Sequence, residues 1–249
     1  MIEIENLSVS YGKHNVIDGM NACFNEGKLT AIIGPNGCGK STLLKAILGI
    51  LPIKQGRVSI DGIASTSLNS KEVAKKLSYL PQIKPIPDMT AGDLVLQGRF
   101  PHLSFAQRYS EKDEEIALSS MKQLNIEDLY DKPVSTLSGG MRQNVFIAMA
   151  LAQDTDYVLM DEPTTHLDVG NSIKLMALLN ELSSNGKGII AVLHDITLAL
   201  QYADNIIVMN DGKVIIADST KSVFNSGVID RVFDVKIHSV GNHYYYESR

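Results

Sequence analysis

The chain opens with Ile2 and Ile4 set between glutamates, after which Leu7, Val9 and Tyr11 resume the alternation one residue out of phase. Period-two alternation predicts a half-buried strand, and the phase slip predicts a break near Asn6. Met20, Ala22 and Phe24 alternate in turn, and Glu26-Gly27 leads into Lys28–Ile33, an apolar run that reads as a buried strand ending at Gly34. Ser41–Leu48 follows without a breaker and predicts a helix stopped by Gly49 and Pro52. Gln55–Gly62 reads as a strand closed by an Asp-Gly turn, and a short helix around Lys71–Leu77 leads to Ser78-Tyr-Leu-Pro-Gln82.

The pattern changes at Ile83, where prolines cluster and helical spacing replaces alternation until about Gln153. Thr90-x-x-Asp93 and Ser110-x-x-Asp113 have the form of capping boxes, Ile116, Met121 and Leu124 give the second helix an apolar side, and Met141–Ala152 reads as a further helix behind Leu137-Ser-Gly-Gly140. Strands return at Tyr157–Met160 and Gly188–Leu193, both continuously apolar, as in a parallel sheet covered on both faces. Val169–Ser184 between them is helical, with Gly186 as its C-cap. Asn-Asp-Gly-Lys between Ile206–Met209 and Val214–Ala217 marks a hairpin, and Gly241-Asn242 between short polar strands repeats the theme. The pattern as a whole predicts an α/β core interrupted by a helical insertion.

Composition narrows this little: 44% apolar and 20% charged residues are ordinary for a globular protein. The 249 residues suffice for one large domain or two small ones. A net charge of −5 argues against a broad nucleic-acid face, so no nucleic-acid partner is expected. No run of 18 apolar residues occurs, and Met1-Ile-Glu-Ile-Glu lacks the basic and apolar regions of a signal peptide. Two cysteines, Cys23 and Cys38, are too few for a disulfide framework and fit a reducing cytosol.

The candidate chemistry centres on Gly34-Pro35-Asn36-Gly37-Cys38-Gly39-Lys40-Ser41-Thr42, which fits G-x-x-x-x-G-K-[ST] and sits between the predicted strand and helix that this loop requires. Its glycines let backbone N–H groups face phosphate oxygens, and the helix start adds partial positive charge. Lys40 is placed to reach the β- and γ-phosphates, with the Ser41 hydroxyl on Mg²⁺. Asp161 and Glu162 end a buried strand, where ligands of open α/β sheets bind; the pair suits a division of labour, Asp161 towards Mg²⁺ and Glu162 towards a water.

Over nearly its full length the sequence resembles the ATP-binding cassette ATPases. Leu137-Ser138-Gly139-Gly140 resembles the family signature, Gln82 the Q-loop glutamine, Tyr11 the aromatic that stacks on adenine, Thr165-His-Leu-Asp168 the D-loop, and His194 the switch histidine. Met141 departs from the glutamine most often found after the signature glycines, which bears on rate more than on phosphate contact. The resemblance implies a P-loop NTPase core with a mixed sheet, an antiparallel β subdomain and an inserted α-helical subdomain. All of residues 1–249 would form one such domain, with the core at 1–84 and 154–225, the helical part at 85–153 and a tail at 226–249. It implies ATP and Mg²⁺ as cofactors, the metal held by Ser41, Gln82 and Asp161. It also implies a head-to-tail homodimer in which Ser138, Gly139 and Gly140 meet the partner's nucleotide and Asp168 lies at the dimer contact, with Glu162 and His194 catalytic. Gly98-Arg-Phe-Pro-His102 and Val192–Ala199 are similar to stretches in ATPases of ferric-siderophore, haem and cobalamin importers. On that likeness the chain would lie on the cytoplasmic face of the membrane. It would drive permease subunits, and through them a substrate-binding protein, with Arg99 and Phe100 either as anchors for the permease or as packing within the helical subdomain. Zinc or manganese importers, soluble non-transport cassette proteins and P-loop kinases are the alternatives. The last have no use for Leu-Ser-Gly-Gly.

Overall fold

The continuously apolar runs form the middle of a six-stranded sheet, and each divides its side chains between two cores. A computed structural model describes residues 1–12, 14–82, 84–104, 107–241 and 243–248. In chain order the elements are β1 (Ile2–Tyr11), β2 (His14–Phe24), β3 (Leu29–Ile33), α1 (Lys40–Ile47), β4 (Gln55–Ile60), β5 (Ile63–Ala64), α2 (Ser70–Lys76) and β6 (Leu77–Leu80). Three helices follow, α3 (Ala91–Leu96), α4 (Glu111–Gln123) and α5 (Gly139–Ala152), and then β7 (Tyr157–Asp161), α6 (Val169–Ser184), β8 (Gly188–Val192), α7 (Ile196–Tyr202), β9 (Asn205–Asn210) and β10 (Lys213–Ser219). The chain closes with α8 (Thr220–Asn225), α9 (Val228–Phe233), β11 (Val235–Val240) and β12 (His243–Ser248).

The large sheet runs β10-β9-β3-β8-β7-β6, with β9 to β6 mutually parallel and β10 antiparallel at one edge. Leu29, Ala31 and Ile33 of β3, Val158 and Met160 of β7, and Ile189 and Ala191 of β8 point into a core shared with the inserted helices, α6 and α7. Ile32, Leu159, Ile190 and Val192 point the other way, towards α1 and the antiparallel sheet β2-β1-β4-β5. Two covered faces explain why these strands carry no polar alternation. The slip at Asn6 is a bulge inside one strand: register shifts fall between Ile4 and Leu7, and Asn6 has φ 46°. Asp61-Gly62 and Asp211-Gly212 take paired positive φ values, as two-residue hairpin turns demand. Asn242 of the last expected turn lies outside the described residues.

Local signals fix most helix starts. Ser110 and Asp113 close a reciprocal capping box on α4, and the Thr90 hydroxyl accepts from the Asp93 N–H at 3.1 Å to start α3. A second box, Asn69 with Glu72, starts α2 and lies outside the pattern reading because its cap is an asparagine; Thr90 and Asp93 make only the forward half of theirs. Helix α5 begins at Gly139, so the signature glycines lie inside its first turn. The short helices α7, α8 and α9 lie outside the pattern reading, although Asp195 caps α7 and Ser219 caps α8; of the three only α9 starts without a side-chain cap.

One expectation is overturned. Arg99, a candidate surface anchor from sequence, is only 7% exposed and ties the inserted helices together. Its Nε meets Asp113 Oδ1 at 3.0 Å and its Nη1 donates to the Ala152 carbonyl at 2.9 Å, at the negative end of α5. His102 adds a 2.7 Å contact to the Gln153 carbonyl, and Gly98 passes so close that a Cβ would lie 2.3 Å from Met149 O. Phe100 alone of this stretch stands out, 69% exposed.

Hydrogen bonds from Ser110, reinforced by Arg99, hold the Asp113 carboxyl down to about 2. A depressed carboxylate contributes stability that is complete above its ordinary value of 3.8 and lost as pH falls towards about 2. Arg99→Ala should therefore lower the unfolding free energy by about 3 kcal/mol at neutral pH, the cost of leaving a buried partner unpaired. Asp113→Asn should remove much of the acid-limb dependence. Both are read from urea melts between pH 7 and pH 2.5.

Candidate functional site

Parallel pairing brings four strand ends to one edge of the sheet. Strand β3 delivers Gly34, β6 delivers Gln82, β7 delivers Asp161 and Glu162, and β8 delivers His194. Between them lies a cavity of about 370 Å³, lined by Asn36, Gly37, Gly39, Lys40, Ser41 and Thr42 with Val16, Gln82, Glu162 and His194.

The loop into α1 is shaped by packing and by backbone. A Cβ on Gly34 would stand 2.2 Å from the Met209 carbonyl and 2.7 Å from Cys38 Sγ, so only glycine lets the loop pass beneath β9. Gly39, at φ 105°, turns the chain into α1. The Lys40 side chain folds back across the loop mouth, and its ammonium donates to the Gly34 and Pro35 carbonyls at 2.7 and 2.9 Å. A buried ammonium must find oxygen partners, and phosphate oxygens entering the cavity are stronger ones. Cys38 is buried beside this lysine, and burial raises its thiol pKa, so the side chain packs rather than reacts.

Behind the loop, Ser41 Oγ donates to Asp161 Oδ1 at 3.0 Å. Asp161 is 1% exposed, and burial raises its pKa against the opposing pull of Ser41. The Tyr79 hydroxyl is buried without a hydrogen-bond partner, and burial together with the Asp161 charge raises its pKa too. A carboxylate, a hydroxyl and an orphaned hydroxyl make an oxygen environment that fits a hard divalent cation. Among the described residues no three His, Cys, Asp or Glu side chains cluster, so such an ion would draw its remaining ligands from phosphate and water.

Glu162 takes a left-handed backbone, φ 55°, held by its own N–H on the Val192 carbonyl and by Thr165 N–H on its carbonyl, each 3.2 Å. That conformation costs a non-glycine residue on the order of 1 kcal/mol. It turns the side chain to the cavity, where Oε1 meets His194 Nε2 at 2.6 Å and Oε2 accepts from Thr165 Oγ1 at 3.3 Å.

The remaining sequence candidates stand elsewhere. Ser138 caps α5, its hydroxyl accepting from Met141 N–H at 3.3 Å, while Gly139 and Gly140 lie against His166. Asp168 caps α6 through Asn171 N–H at 2.8 Å. None of these four lines the cavity, and neither does Tyr11, about half exposed at the end of β1. Gly34, Pro35 and Cys38 form the back of the loop rather than its lining. Val16 lines the cavity without any sign in the sequence, since nothing in an alternating strand pattern distinguishes a cavity-facing position from a packed one, and the buried Tyr79 hydroxyl gives no sign either.

The ABC transporter family model matches residues 17–165. The ferric enterobactin transport ATP-binding protein FepC of Escherichia coli (strain K12) is 40% identical over 93% of this chain and 86% of its own. The iron(3+)-hydroxamate import ATP-binding protein FhuC of Bacillus subtilis (strain 168) is 36% identical over 94% of this chain and 88% of its own. Among solved structures, a dimeric ATP-binding cassette in a post-hydrolysis state with ADP and Pi superposes with a TM-score of 0.78 at 31% identity, covering 88% of this chain and 99% of that one.

Replacing Gly34 by alanine should displace the loop from β9 and weaken nucleotide binding at least about tenfold, because the blocking atom is backbone and cannot swing aside. Cys38→Ala should leave affinity within about threefold, since its thiol contacts are packing contacts. Titration with a fluorescent ATP analogue measures both.

Proposed function

The chain belongs to the ABC transporter family and is an ATPase of that family, and from this premise we propose that it powers an importer of an iron complex, a ferric siderophore before haem or cobalamin. The 2.6 Å contact between Glu162 and His194, beside a lysine-floored phosphate loop, carries the hydrolytic reading. The names of relatives 36–40% identical over almost the whole chain support the cargo class.

In this reading the 34–42 loop and Lys40 grip the phosphates, with Lys40 leaving the Gly34 and Pro35 carbonyls for the β- and γ-phosphate oxygens. Ser41, Asp161 and Gln82 would hold Mg²⁺, which supplies charge neutralisation on the β- and γ-phosphates. Glu162 accepts a proton from the attacking water as the new O–P bond forms and the bond to the ADP oxygen breaks. His194 fixes the carboxylate and faces the γ-phosphate, and Tyr11 offers its ring to adenine. Ser138, Gly139 and Gly140, at the N-terminus of the 14-residue helix α5, contribute N–H groups and helix dipole to the nucleotide of a second copy, with Asp168 beside that contact. Residues 85–153 then act as the moving subdomain against the core at 1–84 and 154–225, with 226–249 as tail.

Among the described residues no helix is long and apolar enough to cross a membrane, and the transport and import names of its relatives support separate permease subunits as carriers of the cargo. A groove of about 600 Å³, lined by Lys71, Ala74, Phe100, Pro101 and Leu103 among others, joins α2 of the core to the inserted helices. Phe100 projects there as an aromatic anchor for a permease helix on the cytoplasmic side.

Glu162→Gln should keep ATP binding, lower turnover by at least about a hundredfold and accumulate an ATP-bound dimer on size exclusion. Turnover within twofold of the parent excludes Glu162 as the base. Phe100→Ser should leave the isolated ATPase rate unchanged and abolish uptake of radiolabelled ferric siderophore in cells. Deletion of the gene should impair growth on ferric siderophore as sole iron source. Normal growth there with failure on low zinc or manganese would replace the cargo and leave the ATPase.

A further inference from the structure

Gln143 lies 3% exposed on α5, and its amide makes two contacts that reach out of the inserted helices. Nε2 donates to the Pro163 carbonyl at 2.6 Å, and Oε1 accepts from Lys84 Nζ at 2.8 Å. Only one orientation of the amide satisfies both, because Lys84 can only donate and the carbonyl can only accept. Each end matters to the site. Pro163 directly follows Glu162, whose left-handed backbone aims the carboxylate into the cavity. Lys84 comes two residues after Gln82, which lines that same cavity, and its ammonium lies 5.6 Å from the centre of the Phe146 ring, also on α5. Helix α5 itself begins at the Ser138 cap. One buried side chain thus joins the loop of the reactive carboxylate, the segment following the cavity glutamine and the helix that presents Ser138-Gly139-Gly140. Simple packing would be served by an apolar residue, as in most of α5, where Val145, Ile147 and Ala148 are fully buried.

We propose that Gln143, latched by Lys84, is a positioning residue for ATP hydrolysis: it fixes the Glu162-Pro163 backbone to α5, so that the carboxylate is aimed only when the inserted helices are in register with the core. This rests on the reading of Glu162 given above, and the two fail separately: Glu162→Gln tests the base, and the variants here test what aims it.

Gln143→Glu keeps the shape and the acceptor for Lys84 but sets a carboxylate oxygen against the Pro163 carbonyl. In the purified full chain it should lower kcat about tenfold while KM for ATP and the affinity for a fluorescent ATP analogue stay within about twofold. Lys84→Met, which keeps the stem on Phe146 and removes the donor, should act in the same direction, and Lys84→Arg should recover most of the rate. Because the two side chains act as one unit, the double variant Lys84→Met with Gln143→Glu should be no slower than the slower single variant. A kcat within twofold of the parent for Gln143→Glu, losses that multiply in the double variant, or a parallel tenfold loss of nucleotide affinity would each overturn the proposal. Should Gln143→Glu not fold, Lys84→Met decides alone: kcat within twofold overturns it, and a kcat-specific loss restored by Lys84→Arg supports it.

Discussion

Parallel pairing of β3 with β8, and of β8 with β7, is the constraint on which everything at the site depends. The register Asp161↔Val192 and Ile32↔Val192 puts the ends of three strands side by side. Parallel strands end at the same edge, so the phosphate loop, the Asp161-Glu162 pair and His194 arrive there together, though they are far apart in sequence. Antiparallel pairing at any of these steps would send one of them to the far edge. The buried, two-faced strands that allow this order also leave it little freedom to slip, since each residue alternates between two packed cores.

Against that rigid edge, the site holds polar groups that the protein only partly satisfies. Lys40 borrows backbone carbonyls, Asp161 shares one hydroxyl, and the Tyr79 hydroxyl has no partner. Glu162 sits in a strained backbone conformation. Groups left in this condition cost folding energy, and their charges and lone pairs are aimed where phosphate and a hard cation would complete them.

The inserted helices are held differently. Internally they are stapled by Arg99, which satisfies Asp113 and the carbonyl end of α5 at once. They share an apolar core with one face of the large sheet, and their polar tie to the site edge runs through Gln143 and Lys84. A second tie, Gln153 Nε2 to the Leu77 carbonyl at 3.0 Å, lies at the opposite end of α5. Polar ties thus lie near both ends of one helix, with the Phe100 groove beside one of them.

By itself the sequence determined whatever rests on neighbouring residues. The phosphate loop follows from where glycines permit a tight turn, the central strands from unbroken apolar runs, and the starts of α3 and α4 from a hydroxyl three residues ahead of an acid. These are short-range rules of sterics and hydrogen bonding, and they act whatever the rest of the chain does. Only the tertiary structure decided what depends on residues brought together from a distance. A charge and an aromatic side by side, Arg99 and Phe100, gave no sign of which would be buried; the close approach of α4 and α5 sent the arginine inward and left the ring exposed. Val16, which no motif marks, lines the cavity, while Tyr11 lies outside its lining. Nothing in the sequence around Gln143 marks it as the partner of Pro163 and Lys84. A single side chain carries no record of its distant partners, because the partners are chosen by the path of the whole chain.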